Sequence, residues 1–227
     1  MHILPTRHIY IPSNTIRYTD NGGSTLGLRG ADYAILAGDT RSTSGYSINS
    51  RLERKVFTIE DGSSSPNFHI ALSVVGFAAD GRDLKERLDA MAAAYRYRHG
   101  RSIGITACAQ RLSNLLYQKR FFPYQLQTML AGVDGSGRGM LYNYDPAGSC
   151  EERAYCGAGV AGGLMVPFVD GQVVTLRGGL DCEVGEGLVR DAFRGAAERH
   201  IEVGDYLQMM IVTKDGIREV FADLRKD

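Results

Sequence analysis

The pattern of apolar and polar positions divides the chain into short strands and amphipathic helices. Strands are predicted at 25–28 and 33–37, joined by a tight turn at 30–32, and further strands at 55–59 and 69–75. Two hairpins are predicted, one at 126–144 around the glycine-rich turn 134–137 and one at 207–221 around the turn 214–216.

The clearest helix has apolar residues at steps of four and three from Leu84 to Tyr95, with Asp80 or Asp83 as its N-cap and Gly100 at its end. Further helices are predicted at about 106–118, 158–168 and 183–199. Strands and helices therefore come in segregated blocks, which favours α+β layers of antiparallel sheet covered by helices.

Composition adds that the chain is an ordinary globular protein. Its 227 residues are 44% hydrophobic, enough for a single domain with a substantial core. The 26 basic and 26 acidic residues cancel, so no overall field favours nucleic acid or an anionic membrane. There is no apolar run near the roughly 20 residues of a membrane span, so we expect an intracellular chain. Residues 1–21 lack periodicity and are expected to form an arm or a removable leader.

Metal and cofactor chemistry is not indicated by the spacing of the usual ligands. The cysteines form no C-x-x-C pair and are expected to be reduced thiols: Cys108, Cys150, Cys156 and Cys182. The isolated histidines offer no ligand set with neighbouring acids or thiols: His69, His99 and His200.

Three other signals have both a functional and a structural interpretation. Residues 157–162 match the G-x-G-x-x-G motif of dinucleotide-binding proteins, and Asp181 follows about twenty residues later, as that motif requires. The preceding segment 151–156, however, is too polar to form the buried strand of a dinucleotide-binding fold. We therefore interpret the glycines as the tight start of a helix. The cluster Arg96, Arg98, His99 and Arg101 suits a solvated helix end better than a nucleic-acid patch. The aromatic segment 121–124 fits either core or subunit interface.

The candidate site lies where the apolar strand 33–37 ends in Asp39, Thr40 and Arg41. A strand that brings a carboxylate and a guanidinium to the rim of a buried sheet often marks a site.

Several motifs together resemble the proteasome beta subunits, of the N-terminal-nucleophile hydrolase family. They are NGGSTLG at 21–27, AGDTR at 37–41, YSINSR at 46–51, GFAADG at 76–81, RFFPY at 120–124 and IVTKDG at 211–216. YDPAGS at 144–149 and ERHIEVGD at 198–205 resemble in particular a non-catalytic position of that family. The resemblance implies a four-layer αββα sandwich over residues 22–227, in stacked seven-membered rings with other alpha and beta subunits, in cytoplasm and nucleus. It implies no cofactor.

In the catalytic relatives the nucleophile is a threonine, freed as the first residue by self-cleavage after a glycine. The resemblance places Gly23 at that position, with Asp39 on the family aspartate and Lys55 on the family lysine. The supporting serine, aspartate and serine are replaced as well, by Ala158, His200 and Val203. The resemblance thus implies a non-catalytic subunit, whose neighbours cut the polypeptide substrates.

Two nearby hydroxyls keep an alternative open, an amidohydrolase that uses Ser24 or Thr25. Ser24 is expected to point away from Lys55, because side chains alternate along a strand. Thr25 is on the correct face but about 6.6 Å further along, against the roughly 3 Å reach of a general base. Without a nucleophile, Asp39 and Lys55 are expected to form a retained buried ion pair, with Arg41 in the same scaffold. A binding module that acts alone is a third possibility.

Overall fold

The computed structural model describes residues 18–62, 69–176 and 180–226. Residues 1–17 of the expected N-terminal arm lie outside this part of the chain. The strands, in chain order, are β1 (Ser24–Arg29), β2 (Tyr33–Asp39), β3 (Ser42–Ser44), β4 (Ser47–Ser50), β5 (Val56–Thr58), β6 (Ile70–Gly76), β7 (Leu126–Val133), β8 (Gly139–Tyr144), β9 (Cys150–Glu152), β10 (Tyr155–Gly159), β11 (Tyr206–Thr213) and β12 (Gly216–Asp223). The helices are α1 (Ala78–His99), α2 (Ile105–Gln118), α3 (Gly162–Leu176) and α4 (Cys182–Arg199).

Two five-stranded sheets form the centre of the fold. The first has the order β10-β1-β2-β11-β12 and the second β5-β6-β7-β8-β9, with β3 and β4 as a separate hairpin. Neighbouring strands are antiparallel in each sheet, as the segregated blocks predicted.

Alternation along β2 shows how the layers stack. Tyr33 and Ile35 pack in one apolar cluster with residues of α3 and α4, whereas Ala34 and Leu36 pack between the two sheets. A third cluster joins the far face of the second sheet to α1 and α2. The four-layer αββα sandwich is therefore confirmed.

A buried glutamine links the two sheets. The Nε2 of Gln208, on β11, donates to the carbonyl of Val56 at 3.0 Å, and its Oε1 accepts from the amide of Val56 at 3.4 Å. The pair of bonds mimics a strand-to-strand contact across the sandwich and fixes the backbone that follows Lys55.

The N-cap predicted for α1 is wrong. The helix begins at Ala78, with Phe77 at the cap and no capping side chain of its own. Asn21 instead accepts from the amide of Ala78 at 2.9 Å, so a distant residue satisfies the helix end. The carboxylate of Asp80 accepts from Gln125 N at 2.8 Å and ties a loop to the helix.

The third predicted helix is displaced. Ala158 lies in strand β10, and α3 begins at Gly162 and continues to Leu176 rather than ending near Phe168. Strand β10 was not predicted from the sequence, because a polar segment precedes Ala158. As an edge strand, β10 needs no continuous apolar run. Strands β3, β4 and β9 were also missed, because each has only three or four residues, and β4 and β9 are largely exposed. Within the described part of the chain, no helix is both long and apolar enough to cross a bilayer.

Candidate functional site

The site lies at the rim of the sandwich, where β2 ends and β5 begins. Asp39 is the last residue of β2, and Lys55 directly precedes β5 on the other sheet. Lys55 Nζ lies 3.4 Å from Asp39 Oδ2, and both side chains are buried. The ion pair therefore joins the ends of two strands from opposite sheets.

The Lys55 ammonium is held by oxygen atoms. Besides the Asp39 carboxylate, Nζ donates to the carbonyl of Asp39 at 2.8 Å and to the carbonyl of Arg41 at 2.6 Å. An ammonium group has three protons to donate. Two of them are donated to backbone carbonyls, and the Asp39 carboxylate lies at ion-pair distance.

The Asp39 carboxylate is likewise surrounded by donors. It accepts from the amides of Ser24 at 2.7 Å, of Arg41 at 3.1 Å and of Gly204. Burial raises the pKa of Asp39 above its ordinary value, and Lys55 with the three backbone amides opposes that shift.

Gly23 lies against this ion pair in a conformation suited to glycine. Its φ is +78°, in the left-handed region. A Cβ built on Gly23 would lie 2.5 Å from Lys55 Nζ and 2.9 Å from Asp39 Oδ1, with Lys55 Cε closer still. The volume that a side chain at position 23 would need is therefore filled by the lysine.

The chain just before Gly23 is bound into the fold. Asn21 N donates to Gly76 O at 3.1 Å, Asn21 O accepts from Thr43 N at 2.9 Å, and Gly22 N donates to Asp20 Oδ1 at 2.9 Å. Together with the bond from Ala78, these contacts hold residues 20–22 across the start of α1.

Ser24 and Thr25 point to opposite sides of β1, as strand alternation predicted. Ser24 Oγ accepts from Ala161 N at 2.8 Å, toward α3. The hydroxyl of Thr25 is buried between the sheets and has no hydrogen-bond partner among the described residues. A Cβ on Gly38 would lie 3.3 Å from Thr25 Cγ2 and 3.2 Å from Lys55 Cβ, so Thr25 lies near the base of the lysine. Both hydroxyl-bearing residues are 0% exposed.

The three replaced supporting positions carry no hydroxyl and no carboxylate. Ala158 is opposite Thr25 in the β1–β10 ladder and packs between the sheets. Val203 is buried in the cluster under α3 and α4. His200 caps the end of α4, and its Nδ1 accepts from Glu202 N at 3.3 Å.

Sequence reasoning missed a second buried ion pair beside the first. Arg41 Nε lies 2.8 Å from Asp205 Oδ2, and Arg51 contacts the other carboxylate oxygen. Asp205 has a φ of +68° and is fully buried. Arg41 also donates to the carbonyls of Ile201 and Arg225, so the chain end after β12 is fixed next to the site. The motif ERHIEVGD contained Asp205, but nothing in its spacing indicated the partner.

The cavity next to Gly22 and Lys55 is small. It measures about 30 Å³, space for one or two waters, and Val75, Phe77 and Ala78 also line it. Ligand pockets typically enclose about 300–1,000 Å³. The described residues of this chain therefore form no substrate-sized pocket at this place.

The glycine-rich segment 157–162 packs against this site. Val160 N donates to Gly23 O at 3.1 Å, and a Cβ on Gly159 would lie 2.9 Å from Ser24 Cα, so the glycine permits close approach to β1. Asp181 caps α4 by accepting from Val184 N at 2.8 Å.

The other sequence signals are spread over the fold. Phe121 and Phe122 are exposed whereas Tyr124 is buried, and the four cysteines are free thiols. In residues 18–62, 69–176 and 180–226, no three His, Cys, Asp or Glu side chains are placed to hold a metal ion.

An αββα sandwich with an aspartate and a lysine at the rim, next to the start of its first strand, is the framework of an N-terminal-nucleophile hydrolase. The proteasome subunit family matches residues 19–212. The chain is 60% identical to proteasome subunit beta inpE of Emericella nidulans, over 92% of this chain and 96% of that protein. It is 42% identical to proteasome subunit beta type-6 of Saccharomyces cerevisiae, over 98% and 94%. It is 38% identical to proteasome subunit beta type-1 of Drosophila melanogaster, over 92% and 90%. The chain belongs to the proteasome subunit family.

Proposed function

We propose that this chain is a non-catalytic beta subunit of the 20S proteasome core particle. It forms part of the wall of the proteolytic chamber, in stacked seven-membered rings with other alpha and beta subunits, and neighbouring subunits cut the polypeptide. The observation that carries the proposal is Gly23, which has no hydroxyl and whose side-chain volume is filled by Lys55.

The chemistry of a threonine protease explains why this observation supports the proposal. A hydroxyl is a weak nucleophile and needs a base within hydrogen-bond distance. At position 23 there is no hydroxyl to activate, and the Lys55 ammonium already donates to the carbonyls of Asp39 and Arg41 and pairs with the Asp39 carboxylate. The remaining Asp39–Lys55 pair is left with a structural role, to hold the ends of β2 and β5 together.

Burial argues against the alternative nucleophiles. Ser24 and Thr25 are 0% exposed, and Ser24 is already bonded to Ala161 N. A peptide carbonyl would have to enter the core to reach either hydroxyl. The bonds that fix Asn21 and Gly22 support a chain that continues through this position, without a free amine at residue 24 or 25.

The names of the relatives support the place of the chain in the particle. Those relatives are named as beta type-6 in the yeast and as beta type-1 in the fly, and the matches span nearly all of both chains. On this basis we propose that the chain takes the ring position that these names number as type-6 in the yeast and type-1 in the fly. From the family resemblance we further propose that it acts in the cytoplasm and nucleus and needs no cofactor.

Native mass spectrometry of the chain purified from cells tests assembly. We expect it in a particle of two seven-membered beta rings between two alpha rings; recovery of the chain from cells only as a monomer, with none in a particle, would contradict the proposal.

Activity is tested in the same particle with a covalent inhibitor directed at N-terminal threonines. We expect adducts on neighbouring subunits and none on this chain. An adduct on Ser24 or Thr25, together with an N-terminus at that residue, would establish the amidohydrolase instead.

A further inference from the structure

The outer surface of the α1–α2 layer carries four arginines that form no ion pair with a carboxylate among the described residues. They are Arg96 and Arg98 at the end of α1, Arg101 just beyond it, and Arg111 on α2. Among the described residues, most other basic side chains do have such a partner, as Lys85 has in Asp89 at 2.6 Å. The basic side chains without one elsewhere lie at separate places in the fold: Arg120, Arg199 and Lys214.

Two of these arginines border one depression. Arg98 with His99 from α1 and Arg111 from α2 line an open depression of about 170 Å³, which Tyr95 and Met91 also border. The rings of Tyr95 and His99 lie 4.4 Å apart and form part of its wall. A water occupies about 30 Å³, so the depression has room for an acidic side chain.

The helix dipole accounts for only some of this charge. Cations in the last turn of α1 interact favourably with its free carbonyls. Arg111 lies in the middle of α2, where the dipole gives it no such partner. Two helices therefore place positive charge at the same depression, with nothing in the described fold to neutralise it.

We propose that this depression, lined by Arg98, His99 and Arg111, receives an aspartate or glutamate side chain from another subunit of the proteasome particle. Arginine and tyrosine are the residue types that most often anchor such interfaces, and Tyr97 is 95% exposed between Arg96 and Arg98. Charge complementarity identifies the partner surface as acidic. The inference rests on the proposed function for the nature of the partner.

A nucleic acid is a poorer match for the depression. Sequence-independent binding to a phosphate backbone usually needs a broad basic surface. This chain has equal numbers of acidic and basic residues, and only four of the arginines without an acidic partner among the described residues lie together, on α1, α2 and the turn between them.

The test reverses the charge of Arg98 and Arg111 and measures the effect on assembly of the particle. The double variant Arg98→Glu, Arg111→Glu is co-expressed with tagged wild-type chain, and the ratio of the two in purified particles is measured by mass spectrometry. We expect the variant to be underrepresented about tenfold or more. Arg199→Glu, a reversal of an exposed unpaired arginine at the end of α4, is expected to be incorporated equally with wild type.

As a control for folding, the unfolding midpoints of the isolated chains are compared. We expect the same midpoint for the double variant and for Arg199→Glu. The milder double variant Arg98→Gln, Arg111→Gln removes both charges without reversing them and is expected to be depleted less, in the same direction. If the glutamate double variant misfolds, the glutamine double variant still tests the inference.

Equal incorporation of both double variants and wild type would overturn the inference, as would equal depletion of Arg199→Glu. Binding of the isolated wild-type chain to a DNA duplex, lost in the double variant while assembly is unchanged, would assign the depression to nucleic acid. Absence of the wild-type chain from any particle would refute the proposed function, and this inference with it. Normal wild-type assembly with equally incorporated variants refutes this inference alone.

Discussion

Substitution of Gly23 tests whether the missing hydroxyl alone separates this chain from a protease. In Gly23→Thr the new side chain must adopt a φ near +78° and occupy the volume of Lys55 Nζ. A left-handed conformation costs a residue with a Cβ about 1–2 kcal/mol. Displacement of the ammonium from Asp39 leaves a buried charge without its partner, at about 3 kcal/mol or more. We therefore expect Gly23→Thr to be less stable and still without activity.

Alanine variants separate the two contributions. Gly45 has a φ of +60° with no atom within 4 Å of its built Cβ, so Gly45→Ala reports the conformational cost alone. Gly23→Ala adds the clash with Lys55, and its free energy of unfolding is expected to fall by about 2–4 kcal/mol more than that of Gly45→Ala.

Urea unfolding of the isolated chains measures the difference. With an m-value of about 3 kcal/mol per molar, 3 kcal/mol corresponds to a midpoint shift of about 1 M. Equal midpoints for Gly23→Ala and Gly45→Ala would show that Lys55 moves aside without cost. Covalent labelling of Gly23→Thr by a threonine-directed inhibitor would show that the rest of the site is still competent.

Four further predictions concern buried groups. Asp39→Asn or Lys55→Met alone should destabilise the chain by about 3–5 kcal/mol, and the double variant should cost less than the sum of the two, as measured in a double-mutant cycle. Gln208→Leu should cost about 2–4 kcal/mol, because a backbone amide and carbonyl of the opposite sheet lose their partner. A thiol reagent at neutral pH should label exposed Cys150 before Cys108, whose pKa burial raises to about 12. Because the folded chain keeps the Cys108 proton that the unfolded chain releases above pH 9, the contribution of this thiol to stability should be fully present below pH 9 and be lost at about 1.4 kcal/mol per pH unit toward pH 12. Cys156, whose pKa burial also raises to about 12, should add to the same loss.

Each of these predictions has a control variant or an outcome that would contradict it. Additive costs for Asp39 and Lys55 would mean that the two groups do not interact. Gln110→Leu changes an exposed glutamine and should leave the unfolding midpoint unchanged, so a similar value for Gln208→Leu would argue against the inter-sheet link. The alkaline loss of stability should diminish in Cys108→Ala, and an unchanged pH profile would assign it to other groups.

The sequence determined the layers of the fold. Alternating positions in β2 and helical spacing in α2 and α4 already separate residues that face the helices from residues that face the other sheet. This works because apolar burial on one face is a local property of a strand or helix. Edge elements escape this reasoning: β10 was not predicted, because a polar segment precedes it and only Ala158 of its five residues is fully buried.

At the candidate site the sequence determined which groups are present, and the tertiary structure decided what surrounds them. Gly23 in place of a hydroxyl, and the survival of Asp39 and Lys55, could be read from the order of residues. The position of the Lys55 ammonium in the volume left by Gly23 could not, because it depends on two strand ends from different sheets and on a φ of +78°. The same holds for Arg41 and Asp205, which are 164 residues apart in sequence and meet only when β2 and β11 pair.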